Sequence, residues 1–372
     1  MKILFTNHCF DKYSGTEVVT RDLAQALFRA GHQTVIYSPR LGSIVDEVRA
    51  SGVEITDDLL SVVDAPDIIH GHHHQPLMQA LLRFPMTPAI YLCHDATIPL
   101  DVPCAFPRIR KYFAVDERCQ DRVERTLGSA AGNVEIIPNV VDTDRFQPRG
   151  PLPIRPRRAL LFSNYAHGGT QLPAVRKACR SAGIELDVVG HAMGSATAHP
   201  EIVLPEYDLV IAKARCALEA MAVGNAVVLC DFAGVGPYVT AADFDAMRRK
   251  NFGRALLTEP LNPGALLKQI SRYDALDAAA LSARVRSEAS LIGAVARWES
   301  IYFEVLANFD ITRVDRAEES QAIANYLLRW HYFQRRDWEV AQFRSLQRIP
   351  FVGEAIYGLA RWTLVRWRPF DE

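Results

Sequence analysis

Short apolar segments rich in β-forming residues alternate with amphipathic helical patterns from the N-terminus to Ile137. In residues 17–30 and 116–127 the apolar positions follow the i, i+4, i+7 spacing of a helix. The predicted strands are Ile3–Asn7, Thr34–Tyr37, Ile68–His70, Ala89–Cys93, Tyr112–Val115 and Val134–Ile137. Strands that alternate with helices indicate βαβ units and a parallel sheet covered on both faces.

The alternation stops between positions 147 and 158, where four prolines and four arginines occur without an acidic residue. Proline at this density predicts an extended linker. After it the pattern predicts strands at Ala159–Asn164, Leu186–Gly190, Asp208–Ala212, Ala226–Asp231 and Ala255–Leu257, and helices at Leu172–Ala182, Cys216–Val223 and Gly264–Ile270. Residues 277–309 are predicted to be wholly helical. The predicted organisation is an N-terminal domain (1–148), a linker (149–158), a second domain (159–290) and a helical tail (291–372).

Composition narrows the function class. The 372 residues include 42 basic and 43 acidic side chains, and 49% are hydrophobic, which excludes disordered and collagen-like classes and a strongly basic nucleic-acid binder. The seven cysteines form no CxxC pair, as expected for a reduced cytoplasmic protein. No apolar run reaches the ~18 residues of a membrane span. We therefore expect a soluble protein, or one attached to a membrane surface without crossing it.

Ligands of open α/β sheets bind beyond the carboxyl ends of the strands, so the polar residues there are the candidates for chemistry. Gly15 lies between the first strand and the first helix, where a backbone can approach an anion. The alternative is a plain turn, with Ser14 and Glu17 forming a capping box.

Histidines follow two of the predicted strands. His70, His72 and their neighbours at 73 and 74 form a dense cluster, for which we favour polar lining of a cleft over a metal site, because the spacing matches no ligand pattern. His94 follows the strand Ala89–Cys93 and faces the ligand region, where it can donate a hydrogen bond or transfer a proton. The alternative for His94 is a strand-end side chain satisfied by a backbone carbonyl.

Glu219 is a lone carboxylate in the short apolar helix Cys216–Val223. Burial of such a group is costly unless it is paired, so Glu219 is a candidate ligand contact, with helix-dipole support as the alternative. Asp142 and Asp144 form a DxD pattern, but the motif is short and is predicted to be a turn and a helix start.

Together these segments resemble glycosyltransferase family 4, whose members have the two-domain GT-B architecture. The most specific matches are residues 136–148 (IIPNVVDTDRFQP) and 218–224 (LEAMAVG). They are similar to the family's PNGVD and EAMA.G.PVV segments, with Val140 in place of Gly and Asn225 in place of Pro. The resemblance covers most of residues 1–309. It implies an α/β GT-B fold, with two doubly wound Rossmann-like parallel-sheet domains facing a cleft and a helical C-terminal tail.

The resemblance also implies an activity, the transfer of a sugar from a UDP- or GDP-sugar to a glycan or lipid-linked acceptor with retained configuration. The resemblance implies no bound metal. It implies no cofactor either, since the nucleotide sugar is a substrate. His94 matches the cleft histidine that contacts the donor sugar and is the catalytic candidate. Gly15 matches the loop near the donor phosphates, and Glu219 matches the carboxylate that holds the ribose. We place the acceptor near His70 and His72.

Three departures from the family pattern keep other functions open, the first being that the usual PS..EG loop is shortened to residues 211–215. Ile211 stands where the first Glu of the E-x7-E pair is expected, and the usual Arg/Lys pair is absent from residues 162–170. Lys213 and Arg215 are replacement candidates for the diphosphate, as are backbone N–H groups of residues 167–170. The alternatives are a sugar-nucleotide epimerase and a non-catalytic partner that binds nucleotide sugar.

Residues 320–369 contain eight arginines, three acidic residues and four of the five tryptophans. Basic amphipathic helices with tryptophan suit an anionic membrane surface, which would fit an envelope-polysaccharide acceptor and a peripheral location on the inner face of the membrane. The alternative is packing of these helices on the N-terminal domain.

Overall fold

The computed structural model describes residues 1–11 and 13–329. The first half of the chain forms a seven-stranded sheet in which every neighbouring pair is parallel. Its strands are β1 (Lys2–Thr6), β2 (Gln33–Tyr37), β3 (Glu54–Thr56), β4 (Ile68–Gly71), β5 (Ala89–Cys93), β6 (Ile109–Ala114) and β7 (Glu135–Ile136). The order is β3-β2-β1-β4-β5-β6-β7. The order reverses between β1 and β4, so the loops after these strands border the crevice where such sheets bind ligands.

Four helices connect these strands. They are α1 (Gly15–Arg29), α2 (Val45–Ala50), α3 (His74–Arg83) and α4 (Glu117–Leu127). The Asp116 carboxylate caps α4 by accepting a hydrogen bond from the Cys119 N–H at 2.8 Å. The sequence pattern predicted α1 and α4, whereas α2, α3 and the short edge strand β3 were not predicted.

The second half forms a five-stranded sheet in the order β12-β11-β10-β8-β9. Its strands are β8 (Arg158–Phe162), β9 (Glu185–Val189), β10 (Leu209–Ala212), β11 (Ala226–Asp231) and β12 (Gly234–Tyr238). The edge strand β12 is antiparallel to β11 and contains Pro237, which an edge position tolerates because one side of the strand needs no ladder hydrogen bonds. The antiparallel edge departs from the purely parallel sheet that the alternation predicted.

The helices of this half are α5 (Leu172–Ser181), α6 (Pro200–Val203), α7 (Ala214–Val223), α8 (Phe244–Arg248), α9 (Pro263–Ile270), α10 (Ala275–Glu288) and α11 (Leu291–Ala307). Residues 277–309 are therefore not one helix, since a break at residues 289–290 separates α10 from α11. The predicted strand at residues 255–257 is also wrong, because Arg254–Leu256 forms a single 3-10 turn. Among the described residues, no helix is both long and apolar enough to cross a membrane.

Helix α11 returns to the N-terminal sheet. Its buried residues Trp298, Ile301 and Tyr302 belong to the hydrophobic core of that sheet, not to the two cores on either face of the second sheet. A further helix over residues 316–329 packs on the same domain. There the buried Arg108 guanidinium pairs with Glu319 and donates hydrogen bonds to three backbone carbonyls. Residues 320–329 thus lie on the N-terminal domain, and the rest of the predicted membrane-binding region lies outside the described residues.

Candidate functional site

A buried chain of charges joins the two halves of the molecule. The Arg215 guanidinium at the start of α7 donates to Glu219 at 2.7 Å and also pairs with Asp22 of α1. Asp22 is held from its other side by Arg21 at 2.6 Å. All four side chains are at most 10% exposed. Two of the predicted donor-binding residues, Arg215 and Glu219, therefore hold each other and the opposite domain.

The electrostatics of this chain follow from burial and pairing. Burial opposes ionisation of Asp22, but Arg215 and Arg21 outweigh it and lower the pKa of the carboxyl. For Glu219 burial prevails over the attraction of Arg215, and its pKa is raised. Glu219 is therefore the more easily protonated member of the chain, and its predicted contact with a ribose stays a prediction.

A second group of cations lies at the strand ends of the C-terminal sheet. The Lys213 ammonium, which precedes α7, is 2.6 Å from the buried carboxylate of Asp231 at the end of β11. The Arg254 guanidinium lies 3.9 Å from the same carboxylate and stacks on the Phe232 ring at 4.8 Å. The side chains of Lys213 and Arg254 remain 24% and 34% exposed. Two positive charges thus share one buried carboxylate, and both cationic side chains remain partly exposed and can approach an anion.

Strained backbone holds these cations in place. Ala214, Asn251 and Phe252 all have positive φ, near 50°, which is rare for residues other than glycine. The Ala214 N–H donates to the Phe252 carbonyl at 2.8 Å, so the turns that carry Lys213 and Arg254 are hydrogen-bonded to each other. Such strain persists where the surrounding structure imposes it, as it does at many ligand sites.

The family-like motif at residues 136–148 is hydrogen-bonded to the turn around Asn251. The Asn139 N–H donates to the Asn251 side-chain oxygen at 3.1 Å, and Arg248 donates to the Asn139 carbonyl at 3.2 Å. Asp142 accepts from the backbone N–H groups of residues 144 and 145, which confirms the predicted turn, although no helix follows it. Sequence reasoning missed Arg254 and Asn251 because neither lies in a motif that it singled out.

His94 lies at a strand end of the N-terminal sheet. It follows β5, is half-buried, and adjoins Asp95, whose pKa is lowered against the effect of burial by hydrogen bonds from Thr97 and Ile98 and by the charge of Arg254. The next strand end of this sheet faces the turn that carries Arg254, since a Cβ built on Gly253 would lie 3.7 Å from the carboxylate of Asp116, just before α4. Burial also lowers the pKa of His94 to about 4, so the imidazole is neutral at physiological pH.

His70 and His72 lie beneath the cleft and have no exposed surface. His70 donates or accepts a hydrogen bond at 2.7 Å with the Tyr302 hydroxyl of α11 and packs 4.6 Å from the Trp298 ring. The return of α11, which covers these strand ends, explains why they do not line an open cleft as predicted. His72 nevertheless reaches the site indirectly, through a 2.7 Å contact between its Nδ1 and His94 Nε2.

The loop before α1 leaves room at Gly15. A Cβ built on Gly15 would meet no atom within 4 Å. The predicted capping box does not form, because the Ser14 hydroxyl pairs with the Glu17 carboxylate instead of a backbone N–H. Glu17 also accepts from the Cys9 thiol at 3.2 Å, and burial together with Glu17 raises the pKa of Cys9 to about 12. Cys9, Asp11 and Glu17 each offer a ligand atom, and these atoms lie within 4.8 Å of one another, close enough to hold a metal ion.

The loop after β8 uses its own backbone donors. The N–H groups of His167, Gly169 and Thr170 donate to acceptors within the loop. These three groups are therefore occupied, and of the four candidate N–H groups only that of Gly168 donates to no acceptor within the described loop and is left for the predicted phosphate contact. The adjacent Asn164 side chain instead donates to the Tyr13 carbonyl at 3.3 Å and so bridges the two domains.

Gly190 allows this loop to approach β9, and its replacement tests that packing. A Cβ at position 190 would overlap the Ser163 carbonyl oxygen, whereas a Cβ on Gly168 in the same region would meet nothing within 4 Å. We expect Gly190→Ala to lower the melting temperature by several degrees and Gly168→Ala to leave it nearly unchanged, as measured by differential scanning calorimetry. Equal melting temperatures of the two variants would contradict the close approach.

Both the fold and the sequence of residues 13–145 are similar to those of known proteins. Residues 13–145 match the family model of Glycosyltransferase Family 4. No curated protein matches the chain in sequence. Among solved structures, a glycosyltransferase from Rickettsia africae ESF-5 is 15% identical, with a TM-score of 0.59 over 83% of this chain and 99% of its own.

Anabaena Alr3699/HepE, solved with UDP and glucose, is also 15% identical, with a TM-score of 0.57 over 83% of this chain and 100% of its own. Sucrose-phosphate synthase from Thermosynechococcus elongatus is 14% identical, with a TM-score of 0.53 over 83% of this chain and 100% of its own. The chain has the GT-B fold. The predicted resemblance to family 4 is confirmed, with the family match covering residues 13–145. In this GT-B chain the facing strand ends of the two sheets carry the candidate site.

Proposed function

We propose that this GT-B protein transfers a sugar from a nucleotide sugar to an acceptor hydroxyl with retained configuration. The supporting observation is the pair of cations at Lys213 and Arg254, which share Asp231 at the strand ends of the second sheet, while His94 lies at a strand end of the first sheet. A sugar that leaves a nucleoside diphosphate develops positive charge while the diphosphate gains negative charge, and fixed cations stabilise that leaving group. UDP lies in the related Anabaena structure, which supports a uridine nucleotide as the first donor to test.

In this proposal each domain binds a different substrate. The donor lies against the second domain, with its diphosphate at Lys213 and Arg254 and its ribose at Glu219. The acceptor lies against the N-terminal domain near Gly15 and His94, and the closed cleft keeps water from hydrolysing the donor. We propose that transfer needs no bound metal, with Lys213 and Arg254 offsetting part of the negative charge of the diphosphate. We further propose a hexosyl donor and a glycan or lipid-linked acceptor of envelope-polysaccharide synthesis, made at the cytoplasmic face of the membrane.

Calorimetric titration tests the donor site. In EDTA, the protein should bind one of UDP, GDP and ADP with micromolar affinity, and Lys213→Ala or Arg254→Ala should weaken binding about 10- to 100-fold, as expected for loss of a charged hydrogen bond. The control is Lys268→Ala, because that lysine is 69% exposed on α9 and pairs with Glu259. Equal affinities in all three variants would contradict the assignment of the cations.

A second function is favoured by one observation. Strand β10 ends at Ala212 and α7 begins at Ala214, so the structure has no loop in which the first carboxylate of the family pair could lie, and Ile211 is fully buried. A non-catalytic partner that only binds nucleotide sugar would show this feature. Nucleotide binding without donor hydrolysis or transfer, in wild type and His94→Ala alike, would favour that alternative.

A further inference from the structure

Three histidines and a tyrosine form a continuous column from the cleft into the N-terminal core. His94 Nε2 lies 2.7 Å from His72 Nδ1. The His72 ring stacks on His70 with ring centroids 4.7 Å apart and planes 17° apart. His70 Nδ1 lies 2.7 Å from the Tyr302 hydroxyl on α11. Only His94 has exposed surface, so the column connects the proposed reaction site to the return helix.

We infer that His72 is a positioning residue, which donates its Nδ1–H to His94 Nε2 and thereby fixes the orientation and the proton of His94. This inference rests on the proposed function for its effect on turnover. The contact contains one proton, so one imidazole donates and the other accepts. Which nitrogen of a histidine carries its proton is set by the hydrogen bond that the other nitrogen makes.

The direction of the hydrogen bond follows from what surrounds His72. Its Nε2 is buried and has no partner among the described residues. If His94 donated, the proton of neutral His72 would lie on that Nε2 as a buried N–H without an acceptor, and such groups are rare in proteins. If His72 donates, Nε2 is only an unused acceptor. His94 then carries its proton on Nδ1 and offers a hydrogen-bond donor to a ligand.

The packing around the column keeps His72 in this position. The Phe5 ring of β1 lies 5.1 Å from His70 and 6.2 Å from His72, and the Trp298 ring covers the other part of His70. The backbone N–H of His72 donates to the Thr6 carbonyl at 3.2 Å. A stacked and fully buried imidazole has little freedom to rotate, which is what a group that orients a catalytic side chain requires.

Kinetics of three variants separate positioning from simple stability. His72→Phe keeps a ring in the stack but removes the donor, and we expect kcat to fall about 10- to 100-fold while KM for the nucleotide sugar changes less than threefold. His72→Asn, whose amide N–H lies near the position of Nδ1, should recover most of that loss. The control is His74→Phe, which replaces another buried histidine that contacts Tyr326 outside the column.

Adding His72→Phe to His94→Ala should cause no further loss of kcat, because a positioning residue acts through the residue it positions. Additive losses in this double variant would contradict the inference. So would a His72→Phe variant with wild-type kcat.

Imidazole ¹⁵N spectra test the hydrogen bond without any activity. In wild type the His94 resonances, assigned by their disappearance in His94→Ala, should show a protonated Nδ1 and an unprotonated Nε2. In His72→Phe this pattern should change, and identical His94 signals would overturn the inference. If the wild type shows the expected tautomer but no sugar transfer, the proposed function fails while the pairing of His72 with His94 stands.

Discussion

Replacing Arg215 with methionine should lower the free energy of unfolding by about 3–5 kcal/mol, because it leaves the buried Glu219 carboxylate without its partner and removes one of the two arginines that hold Asp22. Arg215 holds both Glu219 and Asp22, and Asp22 belongs to the opposite domain. The change therefore removes a link across the cleft as well as a charge. Chemical denaturation measures the stability, and small-angle scattering should show a larger radius of gyration.

The matched control is Arg158→Met. Arg158 also pairs with two carboxylates, Asp187 and Glu206, but its side chain is 40% exposed. Exposed pairs contribute little, so this variant should lose less than about 1 kcal/mol. The double variant Arg215→Met/Glu219→Met should recover part of the loss, because one unpaired carboxylate is then gone. If Arg215→Met and Arg158→Met were equally stable, the buried chain would not join the domains.

Acidification from pH 7 to pH 4.5 should unfold the N-terminal domain cooperatively. Burial lowers the pKa of a group of histidines below the ordinary value of 6.5, to about 3 for His70 and about 4 for His74 and His94, and well below it for His72 and His73. In the unfolded chain these histidines become protonated near pH 6.5, whereas in the folded chain they stay neutral at that pH. The stability is therefore complete above pH 6.5 and is lost as the pH falls toward 4.

Well below pH 6.5 each such histidine changes the unfolding free energy by about 1.4 kcal/mol per pH unit, so five acting together exert an effect of about 7 kcal/mol per unit. Asp101 opposes this trend, since burial raises the pKa of its carboxyl, but it is a single group. Denaturation followed by circular dichroism at pH 7.5, 6.5 and 5.5 measures the slope. His70→Phe keeps a ring between Phe5 and Trp298. It should reduce the slope of the unfolding free energy against pH by the contribution of one histidine. A stability that is constant over this range would refute the prediction.

The sequence predicted the fold well where local pattern decides structure. The predicted strands near β1, β4 and β5 lie within one or two residues of the observed ones, because buried parallel strands need apolar runs of this length. Helix α4 was predicted from its spacing, with Asp116 at its start. The short elements α2 and β3 carry too few residues for a periodic signal, and the break between α10 and α11 leaves the helical period almost unchanged.

The site was predictable only in part. His94, Gly15 and Lys213 could be placed at strand or helix ends from sequence alone, because the carboxyl ends of parallel strands mark the ligand edge of a sheet. Pairing could not be predicted, since it joins residues far apart in the chain. Arg215 meets Asp22 across 193 positions, and His70 meets Tyr302 across 232.

The sequence by itself determined the alternation of strands and helices and the family resemblance, since each depends on the order of neighbouring residues. Only the tertiary structure decided which charges remain available to a ligand. In the folded chain Arg215 pairs with Asp22 of the other domain, and Lys213 and Arg254 share one carboxylate. His72 is buried and contacts His94. The physical reason is that burial and ion pairing depend on distances in space. The types of the residues and their spacing along the chain do not determine those distances.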